Sequence, residues 1–230
     1  MNIKYYFFGK ELVIDQKLAD RQDVTLKLDL QGLKHDNLLL LNQIHGKEVV
    51  VIDEIKKIYG NQNLPKADAI VTNLTNVAIG VITADCAPIL FMDKEKNIIA
   101  ATHAGWNGAR LGVVQAGVEA MKNLGAKNIK AIIGPMIQQK SYEVSKEFFA
   151  NFLSENSANE IFFKNGVKPD KFWFDLPSYV EKKLSEAGVE QIENLQIDTY
   201  ENEEKFFSFR RSTHRKEADC GRNISIIVIN

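Results

Sequence analysis

With 230 residues, 45% hydrophobic and 26% charged, the chain is long enough to bury one substantial core and lies far from disordered or collagen-like compositions. Its 29 Lys and Arg balance 30 Asp and Glu, which excludes a strong field for nucleic acid or an anionic membrane and points to a small-molecule partner. No apolar run approaches the roughly 18 residues that span a bilayer, and MNIKYYFFGKELVID lacks the apolar stretch and small-residue cleavage site of an export leader, so a cytoplasmic protein with residues 1–230 in one domain is expected.

In chain order, Val- and Ile-rich runs recur at 38–41, 49–52, 69–71, 77–82, 89–92, 98–102, 129–133 and 224–229, bounded by Asp, Asn, Gly and Pro, and read as buried strands. Leu111, Val114, Val118 and Met121 mark one face of a helix over 108–124, with Asn107 as N-cap and Gly125 as stop. A second helix begins near Ser145 and carries Phe148, Phe149, Phe152 and Leu153; a third opens at Asp175, with Pro177 in its first turn, and stops at Gly188. Segment 155–172 is polar around one apolar trio and reads as a surface excursion. Several neighbouring strands are too close for helical crossovers, so a layered α/β fold with mixed β-sheets flanked by helices is expected.

Three segments place metal-ligating side chains at strand ends: NQIHG at 42–46, TADCAP at 83–88 and THAGWNG at 102–108. DKEKN at 93–97 suits a hairpin turn. With Lys94-Glu95 as a two-residue loop, the pairing extrapolates to put Cys86 opposite His103, Cβ atoms roughly 5 Å apart. Catalytic zinc usually keeps three protein ligands and an open position. His45 stands in a strand-to-Gly context like that of His103 and is the candidate third ligand. Plainer readings compete: Cys86 as a small buried hydrophobe, His103 as a hydrogen-bonded core histidine, and His45 as structural. His35 reads as an exposed residue, His214, in a charged stretch, as a loop residue, and Cys220 as an inert thiol; two cysteines are too few for a disulfide framework.

Around this cluster, Gln43, Asn107, Arg210 and Arg211 are candidates for substrate contacts. GWNG at 105–108 runs into the expected helix, whose free N–H groups could dock an anion near His103, although the glycines account for the turn equally well. Arg110, Arg210 and Arg211 could add bidentate phosphate contacts, against a default of solvated surface roles. Asp85 is a candidate proton shuttle, but it neighbours Cys86 on a strand and so points to the other face.

The ordered set NQIHG, ADAIVTN, GVITADCAPILF, IIAATHAGWNGARLGVV, IGPMI with SYEVSKEF, FFSFRRS and GRNISIIVI resembles, along nearly the whole chain, the YfiH-like laccase-domain family, once called polyphenol oxidases and now regarded as purine nucleoside phosphorylases. The resemblance implies one zinc per chain held by His45, Cys86 and His103. It also implies phosphorolysis of adenosine, inosine, guanosine and methylthioadenosine, with adenosine deamination beside it. Purine nucleosides and phosphate are then the partners, and nothing identifies a protein partner. The chain departs from the family at Ser141 and Asp198, where cysteines are frequent, and in STHRKEAD at 212–219, which replaces a short Gly-containing link.

Three rivals remain from other classes. A copper-dependent phenol oxidase needs several coppers, which one Cys/His/His cluster does not supply. A Cys-His hydrolase would use Cys86 as nucleophile and His103 as base. A zinc-stabilised binding module would want a fourth ligand.

Overall fold

In the computed structural model, residues 2–12, 27–29, 31–59 and 64–230 are described. All eight apolar runs form strands. Asn37–Leu39 is β2, Val49–Ile52 β3, Ala69–Thr72 β4, Val77–Thr83 β5, Ala87–Asp93 β6, Ile98–Ala104 β7, Lys130–Ile133 β8 and Asn223–Ile229 β13. β1 (Ile3–Phe8) precedes them, and β9 (Glu143–Ser145), β10 (Phe163–Asn165), β11 (Lys171–Phe174) and β12 (Gln191–Asn194) lie between. The helices are α1 (Trp106–Leu111), α2 (Val113–Asn123), α3 (Lys146–Glu155), α4 (Leu176–Glu186) and α5 (Phe209–Arg215).

A six-stranded sheet runs β12-β8-β6-β7-β4-β3 and a four-stranded sheet β1-β13-β5-β2. Both are mixed: β12 and β8, β3 and β4, and β2 and β5 pair parallel, the other pairs antiparallel. The alternation of side chains along β6 explains the layering. Ile89 and Phe91 face one core, with Val114, Val118 and Met121 of α2 and Val180 and Leu184 of α4; Leu90 and Met92 face a second, with Ile79, Val81 and Ile227 of the four-stranded sheet. β6 and β7 are buried on both faces, which is why they read as continuous apolar runs. A third core lies on the outer side of the four-stranded sheet, where Leu38, Leu40 and Ile226 meet Leu28 and Leu33.

The helix expected over 108–124 begins earlier and is two helices. Gly105 caps α1, and Gly112, at φ 98°, ends it before α2 starts. Only a residue without Cβ takes that conformation at little cost. The break turns Leu111 out to solvent, while Val114, Val118 and Met121 stay buried, each stabilising the fold by about 1.5–3 kcal/mol. Gly125 follows α2 at φ 103°. The helices at Ser145 and Asp175 start as expected, each capped by that side chain.

Segment 155–172 is not a bare surface excursion. After a short 3-10 turn at Ser157–Phe162, β10 pairs with β11, and β11 with β9, making a third, three-stranded sheet. Aromatic contacts hold it to α3: Phe149 lies 4.2 Å from Phe172, and Phe148 5.3 Å from Phe174, between ring centroids.

Candidate metal centre

His45, Cys86 and His103 arrive from three separate elements, and one ligand atom of each lies within 4.8 Å of the others. His103 sits in β7, buried at 2% exposure. Cys86 is half-buried at the mouth of β6, and His45 is exposed in the loop before β3, so the group opens to solvent on the His45 side.

The hairpin that joins the last two ligands is longer than expected. Asp93 pairs with Ile98 and Pro88 with His103, leaving Lys94–Asn97 as a four-residue turn. The Asp93 carboxylate accepts from the N–H groups of Glu95 and Lys96, and Asn97 takes a left-handed φ of 51°. Those bonds close the larger turn and shift the pairing by two residues. Cys86 is therefore not opposite His103; it reaches the site from just beyond the ladder, across Gly105. A Cβ on Gly105 would lie 2.9 Å from Cys86 Sγ and 3.4 Å from His45 Cδ2, so the close approach requires glycine there.

Asp68, inside ADAIVTN, carries no local signal of a role, yet it organises two of the three candidate ligands. Its Oδ1 lies 2.8 Å from His103 Nδ1, and its carboxylate accepts from the N–H groups of Ile44, His45 and Gly46. A carboxylate only accepts, so His103 Nδ1 carries the proton and Nε2 is left for the cluster. His45 has a left-handed φ of 57°, a conformation that costs a non-glycine residue roughly 1–2 kcal/mol. Asp68 and the Asn107 amide, which donates to His45 O at 3.0 Å, fix it there.

Charges follow from these contacts. Burial alone would push the Asp68 carboxyl up, but the His103 bond and the N–H groups of Gly46 and Ile44 hold it below the usual range. Burial also opposes a Cys86 thiolate; His103 and His45 outweigh it and bring the thiol down to about 6. Burial opposes a charged His103, which Cys86 and Asp68 draw up to about 9. These directions favour a Cys86 thiolate, the form in which sulfur ligates a metal, with His103 Nε2 directed at the same point. Two imidazoles and one thiolate, with an outer carboxylate behind one imidazole, fit zinc-type ligation with an open position.

The remaining candidates are distributed unevenly. Asn107 does not cap a helix; its amide holds His45. The Gln43 amide pairs in both directions with the backbone of Ile82, each bond 2.7 Å, and anchors the His45 loop to β5. Arg210 and Arg211 lie at the start of helix α5 and not on a strand. The buried Arg211 guanidinium donates to the carbonyls of Thr199, Tyr200 and Phe206. Arg210 is half-exposed, and its N–H donates to Asp85 Oδ2 at 2.6 Å. Asp85 Oδ1 accepts from Thr199 Oγ1, so both oxygens of the candidate proton shuttle are engaged. Arg110 pairs with Glu155 and Asn107. With α1 only six residues long, the expected helix-start anion site has little dipole behind it. His214 lies in helix α5 and not in a loop, and meets the Tyr200 hydroxyl; His35 meets the carbonyl of Leu33. Ser141 Oγ donates to Asp198 Oδ2 at 2.7 Å, so the two departures from the family touch each other.

Residues 13–230 match the family described as multi-copper polyphenol oxidoreductase laccase. The chain belongs to this YfiH-like laccase-domain family. A purine nucleoside phosphorylase of Rickettsia conorii is 41% identical over 196 residues, covering 85% of this chain and 80% of the relative. One from Haemophilus influenzae is 33% identical over 216 residues, 93% of this chain and 82% of the relative, and the purine nucleoside phosphorylase YfiH of Escherichia coli is 35% identical over 173 residues, 74% and 67% respectively. Among solved structures, protein NMB0706 of Neisseria meningitidis, 29% identical, superposes with a TM-score of 0.78 over 100% of this chain and 91% of that one. YlmD of Geobacillus stearothermophilus, 22% identical, shares the fold with a TM-score of 0.81 over 100% and 89%. Laccase-domain chains are named for several coppers, but among the described residues His45, Cys86 and His103 form the one group of this kind. No helix among them is long and apolar enough to cross a membrane.

Proposed function

We propose that this laccase-domain chain is a zinc-dependent purine nucleoside phosphorylase. It cleaves adenosine, inosine, guanosine and methylthioadenosine with phosphate, and deaminates adenosine in a separate reaction. The observation that carries the reading is the convergence of His45, Cys86 and His103 with Asp68 behind His103, in a chain whose relatives are named purine nucleoside phosphorylases. One zinc ion would be held by His45, Cys86 and His103, and when bound would supply a Lewis acid and an acidified water for attack at the purine C6.

The chain's own residues supply position and charge. Asp68 keeps the Nδ1 proton on His103 and so fixes which nitrogen faces the cleft. Asn107 and Gln43 hold the His45 loop open to solvent, where a nucleoside can enter. Phosphorolysis then depends on setting phosphate against the ribose C1′ while the leaving base is stabilised, which is positioning and electrostatics more than covalent chemistry.

Adenosine incubated with purified protein and phosphate should give adenine and ribose 1-phosphate, resolved by chromatography, at a rate that vanishes without phosphate; inosine should form with or without it. Neither adenine nor inosine under either condition refutes the reading. A Cys-His hydrolase is favoured by one observation, the Cys86–His103–Asp68 series with its depressed thiol. Rapid alkylation of Cys86 in metal-replete protein, with loss of activity, would support it; protection until a chelator is added supports the metal reading.

A further inference from the structure

Tyr142 lies in the SYEVSKEF segment, just before β9. It is half-buried, and Arg210 Cζ stands 5.2 Å from its ring centroid. One Arg210 amino group donates to Glu143 O at 2.6 Å, and its backbone N–H to Asp85, the neighbour of Cys86. The guanidinium is thus fixed between β9 and the turn that delivers a metal-site ligand. Its Nε–H and other amino group meet no protein acceptor among the described residues, and neither does the Tyr142 hydroxyl. The Ser141–Asp198 and Thr199–Asp85 bonds brace the same corner from the other side.

We propose that Tyr142 and Arg210 form a two-donor clamp for a tetrahedral oxyanion beside the His45–Cys86–His103 group, the phosphate site of the reaction proposed above, on which this inference rests. A phenol donor and a guanidinium whose Nε–H and one whole amino group are free match the oxygens of phosphate. Burial pushes the Tyr142 phenol well above its ordinary value, so it is a neutral donor near neutrality, where phosphate is an anion. Besides Cys86, whose charge a bound metal would offset, Asp85 is the nearby charge that would repel an anion. Both its oxygens already accept hydrogen bonds, from Thr199 and from Arg210 itself, which offsets that repulsion. Arg211 is buried, and three of its five guanidinium N–H groups already go to carbonyls, so it offers fewer donors than Arg210.

The test is calorimetric titration of the metal-replete full chain with inorganic phosphate. Tyr142→Phe keeps the ring beneath Arg210 and removes only the hydroxyl; Arg210→Gln removes the charge and Arg210→Lys restores part of it. Phosphate affinity should fall about tenfold in each of the first two variants and by less in the third, the scale of one charge-assisted hydrogen bond. Binding of adenine should change less than about twofold, and metal content and melting temperature report folding. Unchanged phosphate affinity in both Tyr142→Phe and Arg210→Gln, equal losses for phosphate and adenine, or no phosphate binding by the unaltered protein would overturn the clamp. Phosphate binding that depends on both residues in a protein without phosphorolysis would instead overturn the proposed reaction and leave the clamp standing.

Discussion

Asp68 Oδ1 and His103 Nδ1 are 2.8 Å apart, and the carboxylate has no exposed surface. The same carboxylate accepts the N–H groups of Ile44, His45 and Gly46, so one side chain orients two ligands that are 58 positions apart in sequence, 45 and 103. Asp68→Asn keeps the shape but removes the charge. Metal affinity, read by competition with a chromogenic chelator, should fall about 10- to 100-fold. Wild-type affinity in that variant would remove Asp68 from the site's machinery.

Protein purified without added metal should hold close to one zinc per chain by elemental analysis, and Cys86→Ala, which removes the cluster's thiolate, should deplete it. Copper in several equivalents, or full zinc in Cys86→Ala, contradicts the ligation proposed here.

Gly105→Ala is a steric test of the same site. The backbone there, φ −68° and ψ 168°, suits alanine, so the fold should survive. The added Cβ at 2.9 Å from Cys86 Sγ must displace the sulfur or the chain. Metal affinity should drop about tenfold or more, since ligand distances tolerate only about 0.2 Å. Retained affinity would show that the Cys86 turn yields freely.

Asp93 links the hairpin to the segment before β8. It is fully buried, and its carboxylate accepts from the N–H groups of Glu95, Lys96, Lys127 and Asn128. Burial alone would raise its carboxyl; the four backbone donors hold it below the usual range. A depressed folded-state value means the stabilisation is present above the unfolded value, near 4, and is lost as pH falls through the folded one. Asp93→Asn should lower unfolding free energy by about 2 kcal/mol near neutrality, and the gap from wild type should shrink as urea melts are taken toward about pH 3. A gap independent of pH would remove the carboxylate charge from the explanation.

Arg211 is a test of the opposite kind. Arg211→Met leaves three buried carbonyls short of a donor and should cost about 3 kcal/mol of stability in urea melts. The folded fraction should still bind phosphate as wild type does. A selective loss of phosphate binding without destabilisation would return Arg211 to the phosphate site.

What the sequence determined by itself was the set of buried segments and the ligand types. Runs such as APILF and IIAAT must be interior strands because they offer no polar face, and Asp175 and Ser145 announce helix starts through their own capping chemistry. The three candidate ligands were legible because Cys and His at the ends of apolar runs are rare in this chain, and because the ordered motifs resemble a known family. β1 escaped because IKYYFF gains its meaning only by pairing with β13, far along the chain. Register, too, was decided in three dimensions: Asp93 accepts both from the turn's own Glu95 and Lys96 and from Lys127 and Asn128 in a distant segment, and these bonds select a four-residue turn over the expected two. The partners of charged groups are likewise nonlocal. Arg210 and Arg211 are adjacent and chemically identical in sequence, and only helix α5 and its packing send one guanidinium into a nest of carbonyls and leave the other over Tyr142 with donors free.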